Sequence, residues 1–101
     1  MIGDKNSKSE TNEIFIGNKP FMKYVIASII QLKKSEGSKT VIKARGKFIS
    51  RAVDIAEVTK KKMKETDNLS LKEEIKIGTD SFKNTEGKDI NVSTIDIILR
   101  K

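Results

Sequence analysis

Twice along the chain, a short apolar run is followed, after a glycine-containing turn, by apolar residues at helical spacing. Residues 13–17 have the pattern of a buried strand, and residues 21–36 have that of an amphipathic helix. Residues 40–44 then predict a second strand, and a long helix follows to about Glu65. This alternation constrains the fold strongly, because two strand–helix units place their strands in parallel in one sheet.

The last third of the chain changes to a period of two, which is typical of strands with one buried face. The alternating apolar residues are Leu69, Leu71, Ile75 and Ile77 in the first strand and Val92, Ile95, Ile97 and Leu99 in the second. The polar segment Thr79–Asn91 predicts a long hairpin connection, and the slipped alternation at Ser93 and Thr94 is typical of a bulge. The expected fold is therefore a two-layer α/β (α+β) fold in the order β-α-β-α-β-β, with a mixed four-stranded sheet and both helices on one face.

At 101 residues the chain has the length of one domain, and 36% hydrophobic residues supply a modest core. Residues 1–12 hold almost nothing to bury, so they predict a disordered tail and leave residues 13–101 as the single domain. No segment approaches the ~18 apolar residues of a membrane span. We expect a soluble, cytoplasmic protein with no membrane partner.

The chain has no Cys and no His. Their absence excludes disulfides, thiolate nucleophiles and the common zinc sites, so we expect no metal and no cofactor. Asp54 and Glu57 are explained by ion pairing within their helix, with Arg51 as the partner of Asp54. A carboxylate-dependent nuclease would need acids clustered at one end of the sheet, which the sequence does not offer. We therefore expect neither catalysis nor a small-molecule substrate.

The formal net charge of +7 is unevenly placed, with +10 in residues 14–64 and −2 in residues 65–101. A basic surface attracts anions, which makes nucleic acid the first candidate partner. The chain has 18 Lys and 3 Arg. Because lysine is a flexible point charge and arginine is the residue that reads guanine edges, this composition predicts contacts to the nucleic-acid backbone with little base recognition.

Two basic turns supply the main candidate binding residues. Lys19 lies in the first strand-to-helix turn, and the second site holds Lys43, Arg45, Gly46 and Lys47. Helix N-termini attract phosphate, and parallel strands bring both turns to the same end of the sheet. The alternative is that both turns are ordinary solvated loops.

Two further features have a functional and a purely structural interpretation. Lys83 and Lys88 lie in the predicted hairpin, which is long enough to act as an arm along a nucleic-acid groove, although its charge is −1. Met63 lies on the apolar stripe of the second helix, where it is either core or a protein contact at an exposed helix end. The lysines around it complement the helix dipole.

Three segments carry a resemblance to a known family. They are residues 16–25 (IGNKPFMKYV), residues 41–54 (VIKARGKFISRAVD) and residues 92–97 (VSTIDI). In order and spacing they closely resemble the Alba family of archaeal chromatin proteins, over residues 13–101. The resemblance implies a fold similar to the C-terminal domain of translation initiation factor three, a homodimer, and binding to double-stranded DNA and to RNA on the chromosome.

The resemblance also implies roles for particular positions. Lys19 corresponds to a phosphate-contacting lysine, and Arg45 and Lys47 occupy the central basic turn. Asn18 occupies the position of a lysine whose acetylation weakens DNA binding in many relatives, so that switch is not predicted here. Met63 corresponds to an aromatic that mediates dimer–dimer contact, and it is the candidate for that role. The alternative function is an RNA-binding assembly subunit of a ribonucleoprotein particle.

Overall fold

The computed structural model of the protein describes residues 12–34 and 37–101, and its elements follow the predicted order. The strands and helices are β1 (Glu13–Phe15), α1 (Phe21–Leu32), β2 (Lys39–Arg45), α2 (Ile49–Asp67), β3 (Lys72–Lys83) and β4 (Asp89–Arg100). A 3-10 turn, Gly46–Phe48, joins β2 to α2. Each predicted element is present, with ends that differ by a few residues.

The four strands form one mixed sheet in the order β1-β2-β4-β3. β1 pairs with β2 in parallel, whereas β4 pairs with both β2 and β3 in antiparallel fashion. Both helices cover the same face, since their buried side chains join alternate residues of β2 and β4 in one core cluster. The predicted two-layer β-α-β-α-β-β fold is confirmed.

The core between the helices and the sheet is aliphatic. Its fully buried members include Val25, Leu32, Ile42, Ile55, Met63, Ile97 and Leu99. We call the opposite side of the sheet the open face, which consists of the odd-numbered residues of β1 and β2 and the even-numbered residues of β3 and β4. Val41 and Ile98, directly opposed on this face, are buried at its centre.

The first helix is shorter than predicted. α1 ends at Leu32 rather than near Glu36, because Leu32 is its last side chain held by the core. Lys33 closes the helix by donating its backbone N–H to carbonyls of the last turn. Glu36 itself lies outside the described residues.

The apolar residues of α1 divide between two faces. Val25 is fully buried, whereas Met22, Ile26 and Ile30 are 44%, 52% and 57% exposed. These three positions are spaced four residues apart, so they lie one above another on the helix surface. The helical periodicity was sufficient to predict the helix, although only part of its apolar surface faces the core.

The predicted long connection over Thr79–Asn91 is wrong. β3 and β4 pair without interruption along their whole lengths, and only residues 84–88 lie outside the ladder. Every residue of β3 is exposed, and its second half, Thr79–Lys83, has no apolar alternation that would mark it as a strand. The bulge expected at Ser93 and Thr94 is also wrong, because the apolar side chains on either side of them lie on opposite faces of an unbroken strand.

The sheet begins at the predicted tail boundary. The carbonyl of Asn12 accepts a hydrogen bond from the Val41 N–H at 2.8 Å, so Asn12 belongs to the sheet edge and not to the tail. The rest of the predicted tail, residues 1–11, lies outside the described residues. Within the described part, no helix has both the length and the apolar character needed to cross a membrane.

An ion-pair cluster fastens α2 to β3. The Lys60 ammonium lies 2.8 Å from the carboxylate of Glu57 on the same helix and 2.5 Å from that of Glu73 on β3. The hydrogen bonds that it donates to Glu57 and then to Glu73 raise the pKa of Lys60 above its usual value. This contact joins the middle of α2 to the first part of β3.

Candidate nucleic-acid interface

The two basic turns lie at one end of the sheet, where the parallel strands β1 and β2 finish. In the parallel pair of β1 and β2, Phe15 is opposite Lys43, and the Ile16 N–H donates to the Lys43 carbonyl at 2.9 Å. Both strands therefore end side by side, and residues 17–20 and 46–48 follow them at the same edge. We call this region the basic edge, defined by Lys19, Arg45, Gly46 and Lys47.

Tyr24 shapes the first turn. Its hydroxyl accepts hydrogen bonds from the backbone N–H groups of Gly17 at 2.8 Å and Lys19 at 3.1 Å. The ring is buried, which holds the hydroxyl in place. Lys19 is exposed just before α1, whose first turn has no acidic residue and no side-chain cap. A fixed turn thus presents a cation beside the positive end of a helix dipole.

Arg51 joins the first turn to α2. Its guanidinium donates a hydrogen bond to the Lys19 carbonyl at 2.7 Å, and it lies 5.8 Å from the ring centre of Phe21 and 6.0 Å from that of Tyr24. Among the described residues Arg51 makes no ion pair with Asp54, so that predicted pairing is wrong. The guanidinium instead extends across to the neighbouring turn.

The second turn depends on a glycine. Gly46 has a φ of +59°, in the left-handed region that glycine adopts without strain. It begins the 3-10 turn that leads into α2, and neither segment has an acidic residue in its first turn or a side-chain cap. Lys47 is exposed here, with its ammonium 5.4 Å from the ring centre of Phe48. The N-terminus of α2 is therefore accessible to an anion next to a second exposed lysine.

Two of the predicted cations on β2 contact carboxylates. Lys43 lies on the open face, 3.2 Å from Asp96 and 3.8 Å from Glu13. Arg45 lies 3.2 Å from Asp80 on β3. Lys43 is thus largely neutralised and does not belong to the turn itself. The Arg45 side chain is 60% exposed, so solvent reaches the guanidinium despite its contact with Asp80.

The β3–β4 ladder extends past the basic edge as an arm. β2 ends at Arg45, opposite Thr94 on β4, so residues 79–93 continue without a β2 neighbour. Five paired positions at about 3.3 Å per residue give an arm roughly 17 Å long. The segment predicted as a long hairpin connection is therefore mostly a regular two-stranded ribbon.

The arm carries both predicted hairpin lysines near its tip. Lys83 lies 2.7 Å from the Asp89 carboxylate. Lys88 makes no ion pair within the described part of the chain. The tip is closed by Asn84, whose side-chain oxygen accepts the backbone N–H groups of Glu86 at 2.9 Å and Lys88 at 3.0 Å. Lys88 is therefore the cation at the tip that is available to a phosphate.

Met63 does not reach the surface. It is fully buried in the core cluster, because the apolar stripe of α2 that carries it faces the sheet. The dimer–dimer contact expected through its side chain does not fit this position. The acids considered for catalysis are dispersed, and in residues 12–34 and 37–101 no group of three or more His, Cys, Asp or Glu is arranged to hold a metal ion.

Three residues that shape the basic edge were not predicted in these roles. Tyr24 carried a usable signal, because a tyrosine on the buried stripe of a helix needs a partner for its hydroxyl. No sequence signal pointed to the contact of Arg51 with the first turn or to that of Asp80 with Arg45. Both join residues more than 30 positions apart and depend on how the elements pack.

The family model described as Alba matches residues 12–79 of this chain. The DNA/RNA-binding protein Alba of Methanococcus maripaludis is 50% identical over 91 residues, which cover 89% of this chain and 98% of that protein. The protein of the same name from Picrophilus torridus is 45% identical over 93 residues, which cover 92% of this chain and 99% of that protein.

Solved structures agree with these sequence matches. The structure of Alba from Thermoplasma volcanium superposes with a TM-score of 0.74 at 41% identity and covers 88% of this chain and 99% of that one. ALBA1 from Trypanosoma brucei superposes with a TM-score of 0.60 at 23% identity, covering 89% of this chain and 68% of that one, which shows a shared fold alone. With its family motifs placed on the two turns and on β4, and with these matches along most of its length, the chain belongs to the Alba family.

Proposed function

We propose that this protein binds double-stranded DNA and RNA through their backbone phosphates, with little sequence preference and without catalysis. The basic edge carries the proposal. Two helix N-termini that lack acidic residues in their first turns open there beside Lys19 and Lys47, which make no ion pair among the described residues. Backbone N–H groups and lysine ammonium groups bind phosphate oxygens and carry no sequence information. The relatives named as DNA/RNA-binding proteins support the same proposal.

The proposed binding unit is a homodimer. An apolar patch on the helix side of the sheet supports it, formed by Val53 on α2 and by Ile75 and Ile77 on β3, which are 40%, 53% and 81% exposed. Lys60 lies two turns further along the same face of α2 and contacts Glu73. This spacing puts Val53 on the side of α2 that faces β3. Contiguous exposed apolar side chains are typical of protein–protein interfaces. A dimer doubles the basic surface and provides two arms.

In this proposal the two basic edges hold the duplex backbone and the arms reach along its groove. The packing of many such dimers on DNA, or their coating of RNA, would compact or protect the nucleic acid. A cytoplasmic protein associated with the archaeal chromosome fits this role. The high ratio of lysine to arginine supports binding at many sites with similar affinity.

A salt series on matched duplexes tests the proposal. Affinity for one sequence, prepared as DNA and as RNA duplex, is measured from about 50 to 200 mM salt for the wild type and for Arg45→Ala/Lys47→Ala. Lys33→Ala/Lys34→Ala removes the same charge at the C-terminal end of α1 and serves as the control. We expect a linear fall of log affinity with log salt, and a slope shallower by about 4 for the Arg45/Lys47 variant only, because the dimer loses two phosphate contacts from each subunit.

Two outcomes would count against this function. Equal salt slopes for the two double variants would mean that the basic edge is not the binding site. Tight binding to a structured RNA with only weak binding to the DNA duplex would favour the assembly subunit of a ribonucleoprotein particle.

A further inference from the structure

The open face of the sheet exposes aromatic side chains beside the basic edge. The chain has four phenylalanines, and two of them lie on this face: Phe15 on β1 is 68% exposed, and Phe82 on β3 is 44% exposed. The Arg45 guanidinium lies 5.9 Å from the ring centre of Phe82. Neither ring is among the buried side chains of the core.

Phe15 lines a groove that adjoins the second basic turn. The groove has a volume of about 800 Å³, and Phe48 and Val92 add to its apolar wall. Lys47 and Thr94 are among its polar lining residues. Ligand sites of this kind, with an apolar wall and a few polar groups, have volumes of about 300–1,000 Å³, and a single nucleotide fits within that range.

The charges around the groove favour a base with one phosphate rather than a run of phosphates. Lys43 is neutralised by Asp96, and Arg45 is paired with Asp80. Lys47 remains as the lining cation without an ion pair among the described residues. The interior is thus near neutral and the cation lies at the side nearest the turn, which matches an uncharged base next to a charged backbone.

We infer that the groove beside Phe15 binds an unpaired nucleotide, whose base stacks on the Phe15 ring while Lys47 contacts its phosphate. The inference rests on the proposed nucleic-acid binding and names a second class of ligand, unpaired nucleotides, for the same region. In a duplex each base is stacked on its neighbours and paired, so its face is not available to a side chain. Single strands, bulges and ends expose that face, and stacking on an aromatic ring is tolerant of sequence.

The test compares an unstructured 12-nucleotide single strand, as RNA and as DNA, with a blunt duplex. Phe15→Ala removes the ring, and Ile26→Ala, at an apolar side chain of similar exposure on α1, is the matched control. We expect Phe15→Ala to weaken single-strand binding about tenfold, which corresponds to ~1.4 kcal/mol, and to change duplex binding less than about twofold. The comparison of RNA with DNA shows which source of unpaired nucleotides the site prefers.

A second readout does not depend on the alanine variant. The chain contains no Trp, so Phe15→Trp introduces a unique fluorophore that keeps an aromatic face. We expect this variant to bind the single strand as well as the wild type does, and its emission to be quenched by the single strand but not by the blunt duplex. Folding of each variant is checked by its circular dichroism and thermal melt.

Three results would overturn the inference. They are unchanged single-strand affinity in Phe15→Ala, Trp emission that is insensitive to the single strand, and a lower molecular mass for Phe15→Ala in sedimentation, which would mean that a second copy covers the ring. In each case wild-type binding to the duplex would leave the proposed function standing. A wild type that binds no duplex even at low salt would contradict the proposed function itself.

Discussion

At the scale of single residues, the cations of the basic edge differ in what they contact in the free protein. Arg45 and Asp80 are 3.2 Å apart and both more than half exposed. Exposed ion pairs are weak, so a phosphate displaces the carboxylate at little cost. In the proposed function this carboxylate competes with the phosphate for Arg45, and it adds local negative charge at the basic edge.

We therefore expect Asp80→Asn to tighten duplex binding by about 1.4- to fivefold, since an exposed pair contributes about 0.2–1 kcal/mol. Asp54→Asn, an exposed acid on α2 without an ion pair to Arg45, makes the same change in net charge. Affinities of both variants at one low salt concentration provide the measurement. If the affinity for the duplex rises equally in the two variants, the change in net charge explains the effect and the release of Arg45 does not.

At the scale of elements, the geometry of the second turn links β2 to α2. Gly46 occupies the left-handed region with a φ of +59°, and a Cβ at this position would lie 3.5 Å from a Val92 methyl group on β4. The contact distance is ordinary, so the cost of a side chain here comes from the backbone conformation. The geometry of this turn positions Lys47 and the N-terminus of α2.

Gly46→Ala is expected to lower the free energy of unfolding by about 1–2 kcal/mol, because an L-residue is disfavoured in this conformation. Gly37→Ala is the control, since Gly37 also has a positive φ of +80° but lies before β2, at the opposite end of that strand. Urea unfolding should show a similar loss in both variants. Only Gly46→Ala should weaken duplex binding, and an equal effect on binding would contradict a role for the turn geometry.

At the scale of the whole molecule, the distribution of apolar surface indicates how the protein assembles. The patch of Val53, Ile75 and Ile77 lies between α2 and β3, whereas Met22, Ile26 and Ile30 form a separate stripe on α1. The first patch adjoins the base of the arm. A partner placed there would put two basic edges and two arms in one assembly.

We expect Ile77→Asp to convert a dimer to a monomer, because a buried unpaired carboxylate is strongly unfavourable at an apolar interface. Sedimentation at roughly 10 µM measures the mass, and lower protein concentration favours the monomer by mass action. Ile26→Asp makes the same change on α1 and should leave the dimer intact. A wild type that sediments as a single chain would rule out the dimer proposed here.

Local patterns were sufficient for the order of elements and for the two basic turns. Hydrophobic period and the glycine at each turn act over a few residues, and they predicted both helices, the first two strands and the positions of Lys19, Arg45 and Lys47. These local patterns did not predict strands that have no buried face. The outer half of β3 is a regular strand held by its backbone ladder to β4, and its polar side chains gave no periodic signal.

The sequence by itself determined the fold class, the family resemblance and the location of the positive charge, because these depend on residue type and on spacing along the chain. Only the tertiary structure decided which cations are already neutralised and which aromatic rings are exposed. Arg45 meets Asp80 across the sheet, and Phe15 lies beside Lys43 on the open face. The physical reason is strand register, which brings together residues distant in sequence and which depends on the pairing of whole strands and on turn geometry, not on any single local segment.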